Sequence, residues 1–220
     1  MTTDANLEAH RAFLNRYYGW SEKIYDVTRK YYLLGRDRAI DELVAERWDR
    51  LIEVGPGTGR NLKVLQSRRR LARLGGVEAC DAMLRRSRRE VPSARIVHGF
   101  AETTDFASIL DAPPDRILMS YVLSMLVHGE RALDRALEGL APGGELIVVD
   151  FGDCAGLPGL AGRGLRTWLS WFHVRPLDLG PLQQRGATLT WGPGRYYLIA
   201  RIRRPDARAS HHVEPASSPA

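Results

Sequence analysis

Residues 51–62 read Leu-Ile-Glu-Val-Gly-Pro-Gly-Thr-Gly-Arg-Asn-Leu, and this stretch decides the fold. Its apolar start is typical of a short buried strand, which contains an acid, Glu53, just before it ends. Three glycines follow, Gly55, Gly57 and Gly59, and an apolar-periodic segment after them predicts a helix. A strand, a glycine loop and a helix in this order bring the backbone close to a nucleotide-like ligand, because only glycine leaves room for that approach. The simpler alternative is a tight turn between strand and helix.

The glycine spacing and the acids narrow the choice of ligand. The spacing is G-x-G-x-G rather than the G-x-G-x-x-G of dinucleotide-binding proteins. A carboxylate at Glu53 accepts hydrogen bonds from an amine or a hydroxyl and repels a pyrophosphate. Glu78 ends the second predicted strand, 19 residues after Gly59, where an acid accepts both ribose hydroxyls of a nucleoside. These features predict a cationic or uncharged nucleoside, and S-adenosylmethionine fits.

Length and composition set the class of protein. The 220 residues, 44% of them hydrophobic, suit one α/β domain with elaborations. No apolar run approaches the ~18–20 residues that span a bilayer, and the polar, acidic start is not a secretory signal. Cys80 and Cys154 make neither a disulfide framework nor a metal-site spacing, so we expect a reducing cytoplasm and no metal.

The net charge of the chain indicates which kinds of surface it could bind. The formal net charge is +6, carried by 29 Arg and 3 Lys. Arginines in this number indicate either solvated helix faces or attraction to an anionic surface such as a membrane. No nucleic-acid-binding motif stands out, so we expect no nucleic-acid partner.

The rest of the chain alternates predicted strands and helices, which implies a mostly parallel sheet with helices on both faces. Residues 1–46 form a predicted N-terminal helical extension or lid that breaks at Gly35, residues 47–204 the ligand-binding domain, and residues 205–220 a disordered tail. The turn at 192–194 predicts a hairpin and therefore an antiparallel end to the sheet. The predicted strands are 50–54, 74–78, 95–98, 115–120, 144–151, 187–191 and 195–203, and the helices between them are 60–72, 82–90 and 130–140.

Ligands of such sheets bind beyond the carboxyl ends of the strands, so the end of the third strand is a second candidate for ligand contacts. There Gly99, Phe100 and Ala101 are predicted to face the adenine, and either Glu102 or Asp105 to accept a hydrogen bond from its exocyclic amine.

The fourth strand ends in Leu-Met-Ser-Tyr-Val-Leu-Ser at 118–124, which should flank the reactive methyl group. The sequence lacks Asp/Asn-Pro-Pro-Tyr here, and this counts against a nucleobase amine as the methyl acceptor. Tyr121 either packs in the core or turns its hydroxyl toward the site.

Over residues 15–203 the chain resembles class I S-adenosylmethionine-dependent methyltransferases, and within them the betaine-lipid N-methyltransferases of the BtaB type. The resemblance implies an α/β, Rossmann-like fold with a seven-stranded sheet of order 3-2-1-4-5-7-6 whose last strand is antiparallel. It also implies three successive N-methylations that convert diacylglyceryl-homoserine to diacylglyceryl-trimethylhomoserine. One departure is Phe100, which stands where the family usually has the aspartate of Gly-Asp-Ala. The stretches that carry the similarity are Tyr25–Asp37, Ser120–Met125, Val149–Gly152, Ala155–Pro158, Trp168–Leu169 and Phe172–Val174.

The residues and the resemblance together give three groups of candidate site residues. The predicted catalytic residues, aromatic rings that suit a sulfonium or quaternary ammonium and one histidine, are Tyr25, Tyr121 and His173. The predicted substrate-binding residues, among them an arginine suited to the acceptor's carboxylate, are Tyr18, Arg29, Tyr32, Ser124, Asp150, Trp168 and His173. The predicted S-adenosylmethionine-binding residues are Tyr25, Arg36, Glu53, Gly55, Pro56, Gly57, Thr58, Gly59, Asn61, Glu78, Ala79, Met83, Gly99, Phe100, Ala101, Ser120 and Tyr121.

A lipid acceptor sets the expected location. The substrate would be a glycerolipid at the membrane surface, so we expect a cytoplasmic enzyme, peripheral at the inner face of the membrane. The enzyme that makes diacylglyceryl-homoserine is then a candidate partner. An amphipathic stretch at 157–172, with Trp168 and Trp171, predicts an interfacial or lid helix. Methylation of phosphatidylethanolamine or a small molecule stays open, as do an adenosylmethionine-binding protein without turnover and an RNA-binding module.

Overall fold

A computed structural model describes residues 33–157, 159 and 177–206 of the chain. Strands and helices alternate through most of these residues, as the sequence pattern predicts. Short 3-10 turns cover Leu123–Met125 and Pro193–Arg195. The helices are α1 (Arg36–Ala45), α2 (Arg60–Arg68), α3 (Asp81–Glu90), α4 (Phe106–Ile109), α5 (Gly129–Gly139) and α6 (Gly180–Gln184). The strands are β1 (Arg50–Val54), β2 (Arg73–Glu78), β3 (Arg95–His98), β4 (Arg116–Ser120), β5 (Glu145–Phe151), β6 (Thr188–Trp191) and β7 (Tyr197–Arg203).

The strands form one seven-stranded sheet of order β3-β2-β1-β4-β5-β7-β6. Strands β1 to β5 pair in parallel, and β7 runs antiparallel to both β5 and β6. This topology confirms the expected α/β fold and strand order. Because β1 lies between β2 and β4, the chain order reverses at the β1–β4 pair, which is where ligands bind in open parallel sheets.

Both faces of the sheet are covered, which explains the nearly continuous apolar runs in its central strands. In β4, Leu118 packs with the core of α1, α2 and α3, whereas its neighbours Ile117 and Met119 pack with α4, α5 and α6. All three side chains are at most 1% exposed. The alternation follows from the two-residue period of a strand, which points successive side chains to opposite faces.

Helix α2 is shorter than the sequence pattern predicts, ending at Arg68 instead of residue 72. The next residue, Arg69, leaves the helix and donates to the carbonyls of Glu46 and Trp48 at 2.6 and 2.5 Å. Its guanidinium also lies 4.7 Å from the centre of the Trp48 ring. These contacts with the segment before β1 end the helix, and periodicity alone does not reveal them.

Helix α1 is part of the central core. Its residues Ala39, Ile40 and Leu43 are at most 2% exposed and share a cluster with the sheet. Residues 1–32, most of the predicted N-terminal extension, lie outside the described residues, as do residues 207–220 of the predicted tail. The boundaries of extension and tail therefore stay predictions.

Cys80 and Cys154 are both buried as free thiols. Within the described ranges, no helix combines the length and hydrophobicity that a membrane crossing requires.

Asp115 joins the starts of the two central strands. Its Oδ2 accepts hydrogen bonds from the amides of Asp49 and Arg50 at 2.9 and 2.8 Å, and its Oδ1 lies 3.3 Å from the Arg50 guanidinium. Burial alone would raise the pKa of this carboxyl, but the two amides and the Arg50 charge outweigh it and leave the pKa lowered. The ionised form of Asp115 is therefore the one that holds β1 beside β4.

We expect Asp115→Asn to lower the free energy of unfolding by about 1–2 kcal/mol near neutral pH, because a neutral amide replaces a carboxylate that accepts three hydrogen bonds. A carboxyl whose pKa is lowered by folding contributes stability above its unfolded pKa and loses it as the pH falls through the folded value. Urea unfolding of wild type and variant should therefore give a difference that shrinks in acid.

Asp111→Asn is the matched control. Its carboxylate pairs with Arg95 at 2.7 Å, but both side chains are more than half exposed, so little stability should depend on the pair. A difference for Asp115→Asn that is the same at neutral and acid pH would contradict this role.

Candidate functional site

Two adjoining cavities open at the carboxyl edge of the sheet, beside the β1–β4 pair. The space between the lining residues, open solvent included, is about 740 Å³ in the first cavity and about 830 Å³ in the second. Gly55, Gly57 and Ser120 line both cavities, so together they form one elongated site. This shape suits a ligand with two chemically different ends.

The glycine loop forms the shared wall. Gly55, Gly57 and Gly59 all have left-handed backbone angles, with φ between 56° and 83°. The Gly55 amide donates to the Val77 carbonyl at 2.8 Å, and a Cβ at Gly55 would lie 2.8 Å from Val122. Glycine is therefore required at Gly55 both for the backbone angle and for the close approach of β4.

Glu78 connects the loop to β2 and faces the first cavity. Its Oε2 accepts from the Gly57 amide and its Oε1 from the Cys80 amide, both at 2.9 Å. Each carboxylate oxygen can accept a second hydrogen bond. The side chain is only 7% exposed and lines the cavity, so this carboxylate lies where the hydroxyls of a ribose would contact it.

The far wall of the first cavity comes from the segment after β3. Glu102 is 2% exposed and lines this cavity, and its Oε2 has no hydrogen-bond partner among the described residues. Asp105 instead caps α4, where its side chain accepts from the Ala107 amide at 3.1 Å. Of the two acids that the sequence leaves open, Glu102 is thus the one beside the cavity. Phe100 also lines it, in the place of the expected aspartate.

The second cavity is lined by a buried acid, Glu53, and by a basic residue, Arg36. Glu53 is 1% exposed, and its Oε1 accepts from the Asn61 side chain at 2.7 Å, while its Oε2 has no partner among the described residues. Burial raises the pKa of Glu53 to about 7, against the opposing effects of the Asn61 hydrogen bond and the Arg36 charge. Arg36 lines the same cavity. A carboxylate and a guanidinium side by side match the ammonium and carboxylate of an amino acid.

The two cavities therefore match the two halves of S-adenosylmethionine. The first offers an acid for ribose and an enclosed wall for a base, and the second offers opposite charges for an amino acid. Ser120 lies between them with a buried hydroxyl that has no partner in the described part of the chain. Unpartnered buried oxygens are unfavourable, and a polar ligand removes that cost.

Comparison with known proteins agrees with this geometry. A family model described as a methyltransferase domain matches residues 26–186. The chain belongs to this methyltransferase family. It is an S-adenosylmethionine-dependent methyltransferase, and S-adenosylmethionine is its cofactor.

The curated relatives cover part of the chain. A trans-aconitate 2-methyltransferase of Methylobacterium nodulans is 33% identical over 100 residues, which are 45% of this chain and 37% of the relative. Another from Variovorax paradoxus is 30% identical over 119 residues, 51% of this chain and 44% of the relative. The matched region thus spans less than half the length of these relatives.

Solved structures share the fold at low sequence identity. The apo S-adenosylmethionine-dependent methyltransferase SibL has a TM-score of 0.63 and 18% identity, over 84% of this chain and 58% of that one. The amino pentose methyltransferase CalS10 of Micromonospora echinaspora, with S-adenosylmethionine bound, has a TM-score of 0.55 and 17% identity, over 83% and 97%. These neighbours establish the methyltransferase fold.

The structure brings most of the predicted cofactor residues of this methyltransferase together. Gly59 lies in neither cavity wall, since it begins α2 as its N-cap. Tyr25 lies outside the described residues. The first cavity is lined by Gly55, Gly57, Glu78, Ala79, Met83, Gly99, Phe100, Ala101, Ser120 and Tyr121. The second is lined by Arg36, Glu53, Gly55, Pro56, Gly57, Thr58, Asn61 and Ser120.

Tyr121 lines the first cavity, but its hydroxyl forms a hydrogen bond elsewhere. The side chain is 3% exposed, and the hydroxyl donates to the backbone carbonyl of Leu34. Burial and then the nearby charge of Asp150 raise the pKa of Tyr121 well above its usual range. The hydroxyl stays protonated at neutral pH and is bonded to the Leu34 carbonyl, so Tyr121 does not act as a proton acceptor.

Asp150 and Ser124 hold each other rather than facing the cofactor cavities. Asp150 is fully buried at the end of β5, and its carboxylate accepts from the Ser124 amide at 3.0 Å, the Ser124 hydroxyl at 2.9 Å and the Phe151 amide at 2.8 Å. Burial raises the pKa of Asp150 to about 6. Its predicted substrate contact is corrected, because both carboxylate oxygens fix the turn after β4.

Ser124 is exposed and lies on a separate groove with Glu130 and Asp178. The other predicted substrate or catalytic residues lie outside the described residues, and their roles stay predictions. They are Tyr18, Tyr25, Arg29, Tyr32, Trp168 and His173, together with Trp171 of the predicted interfacial helix.

Sequence reasoning missed the apolar wall of the first cavity. Val122, Met125 and Leu126 follow β4 and line it through the 3-10 turn that Asp150 holds. The available signal is their position directly after the strand that flanks the reactive methyl group. An apolar run there looks like ordinary core until the turn is known.

We expect the affinity for S-adenosylhomocysteine to increase between about pH 6 and about pH 8 and to level off above that. The ligand's ammonium favours ionised Glu53, whose pKa near 7 leaves it largely protonated at the lower pH. Binding there must release a proton, so the affinity should change by up to about tenfold per pH unit below the pKa. Calorimetry in buffers of different ionisation enthalpy measures both affinity and proton release.

Glu53→Gln should flatten this pH profile and bind about as weakly as the wild type does at low pH. Glu102→Gln is the matched control, because it removes a buried carboxylate at the adenosine end and should keep the profile. An unchanged pH dependence in Glu53→Gln would show that another group titrates.

Proposed function

We propose that this methyltransferase converts diacylglyceryl-homoserine to diacylglyceryl-trimethylhomoserine by three successive N-methylations. The observation that carries the proposal is the convergence of the stretches that resemble betaine-lipid N-methyltransferases. Leu33 and Arg36 of the first stretch line the second cavity, and Ser120 of the next lines both. Tyr121 joins these to the third stretch, since its amide donates to the Val149 carbonyl at 2.7 Å.

Exposed apolar side chains near the site support a lipid acceptor. Leu34 is 49% exposed, Met125 39% and Val127 44%, and we call these three residues the apolar rim. Met125 lines the first cavity, and Val127 directly follows Leu126, another lining residue. The backbone carbonyl of Leu34 accepts the hydrogen bond from the Tyr121 hydroxyl. Apolar surface gains about 25 cal/mol per Å² when it leaves water, so the rim favours an acceptor with an apolar body.

The site supports a mechanism that depends mainly on position. Bound S-adenosylmethionine supplies a methyl group on a good leaving group, so the acceptor amine needs to be neutral and in line with it. The described cavity walls contain no histidine or lysine, and Tyr121 keeps its proton. We propose that the amine loses its proton to water before it attacks. Tyr121, which lines the first cavity, is an aromatic residue that we propose near the cationic centres of donor and product.

A second candidate function comes from the curated relatives, which by name act on trans-aconitate. A small acid acceptor of that kind is favoured by about 30% identity over about half of the chain. The apolar rim favours the lipid, because a small polycarboxylate gains nothing from exposed leucine, methionine and valine side chains.

The lipid proposal extends to location and partners. A diacylglycerol-based acceptor keeps its acyl chains in the bilayer, so the enzyme works peripherally at the cytoplasmic face of the membrane. The formal net charge of +6 favours an anionic leaflet. The enzyme that makes diacylglyceryl-homoserine is the partner that we propose, because it supplies the acceptor on the same surface.

Transfer of labelled methyl groups decides among the acceptors. We expect radiolabel from S-adenosylmethionine to enter vesicle-borne diacylglyceryl-homoserine and to pass through one, two and three methylations. Parallel reactions contain phosphatidylethanolamine vesicles or trans-aconitate. Label mainly in either of these would replace the proposal by the corresponding alternative, and S-adenosylhomocysteine binding without label in any acceptor would leave a binding protein.

The apolar rim can be tested without touching the cavities. Leu34→Ser combined with Val127→Ser should raise the KM for vesicle-borne acceptor severalfold, through the lost apolar contact of two side chains. S-adenosylhomocysteine affinity should stay unchanged. Leu71→Ser is the matched control, because Leu71 is 98% exposed but precedes β2 at the opposite edge of the sheet. Equal effects of the rim pair and the control would contradict the role of the rim.

A further inference from the structure

Tyr121 has an unusual backbone conformation at the centre of the site. Its φ of 55° is left-handed, which is uncommon and strained for a bulky residue. Two contacts hold it there. Its backbone amide donates a hydrogen bond to the Val149 carbonyl, and its ring packs edge-to-face on Phe151 with ring centres 4.6 Å apart. Backbone strain of this kind persists only where the surrounding structure fixes it, and such residues cluster at functional sites. The strain therefore indicates that the position of the Tyr121 side chain has a function.

The hydroxyl of Tyr121 fixes a segment 87 residues earlier in the chain. It donates to the carbonyl of Leu34, directly before Gly35 and the start of α1. Gly35 has a φ of 84°, and a Cβ there would lie 2.2 Å from the Tyr197 ring. The segment that enters α1 is therefore held by a hydroxyl on one side and by an aromatic ring on the other.

This segment carries Arg36, which lines the amino-acid end of the site. Arg36 and Glu53 both line this end, and the Arg36 charge lowers the pKa of Glu53 against the larger effect of burial. On its other side Arg36 is fixed by α1, whose buried face is part of the core. A shift of the Leu34 carbonyl would consequently move Arg36 relative to Glu53.

We propose that the Tyr121 hydroxyl is a positioning group that holds Arg36 in place for the carboxylate end of the cofactor. The adenosine end is held independently, by Glu78 and the wall after β3. Loss of the hydroxyl therefore weakens recognition of the amino-acid half of the cofactor and spares the adenosine half. The inference rests on the cofactor site alone and is independent of the acceptor.

Tyr121→Phe tests this role, because it keeps the ring and removes only the hydroxyl. By calorimetry, we expect affinity for S-adenosylhomocysteine to fall about three- to tenfold, the effect of one lost hydrogen bond. Affinity for 5′-methylthioadenosine, which lacks the amino-acid end, should stay unchanged. In an Arg36→Gln background, Tyr121→Phe should have little further effect, since the group that it positions is gone.

Two further variants keep the test decisive. Tyr196→Phe removes a hydroxyl from the same aromatic cluster and should bind both ligands as the wild type does. Gly35→Ala displaces the segment from the Tyr197 side and should give the same ligand-selective loss, so it replaces Tyr121→Phe if that variant does not fold. Equal weakening of both ligands, no weakening of S-adenosylhomocysteine, or full additivity with Arg36→Gln would each overturn the proposal.

Discussion

The pairing of β1 with β2 on one side and β4 on the other is the constraint on which the site depends. Parallel strands end at one edge, so this pairing gathers the glycine loop, Glu78 and Ser120 at the same place. Both neighbouring strands then hold the loop. The Gly55 amide donates to the Val77 carbonyl of β2, and Gly55 lies in close contact with Val122 after β4. Without that register the same residues would still form strands, but they would not share a cavity.

The number of partners around each buried carboxylate separates structural acids from ligand-binding ones. Asp150 has three donors within 3.0 Å, which partly offset its burial and use its carboxylate to fix a turn. Glu53 and Glu102 each keep an oxygen without a partner among the described residues. Burying a polar group without compensation is costly, so the fold tolerates these two where a ligand supplies the missing donors. Burial alone does not distinguish the two kinds of acid.

Much of the fold and of the cofactor site can be predicted from sequence, because both rest on local patterns. β1 and β3 have the predicted bounds, and the other strands differ by one or two residues, since buried parallel strands are short apolar runs. The early end of α2, the Asp150–Ser124 contacts and the hydrogen bond from Tyr121 to Leu34 escape such reasoning. Each joins residues that lie 20 to 90 positions apart, and no periodicity records such contacts.

The difference between local patterns and long-range contacts also explains why the methyl donor is established and the methyl acceptor is a proposal. Apart from Arg36, the donor site is built mainly from loops that each follow directly from one strand. The apolar rim, where we propose that the acceptor binds, is built instead from the segments around Leu34 and Met125, which belong to different parts of the chain. Similarity in the donor half therefore carries little information about the methyl acceptor. The proposal of a lipid acceptor therefore rests on the exposed apolar side chains of the rim, which adjoin the apolar wall of the first cavity.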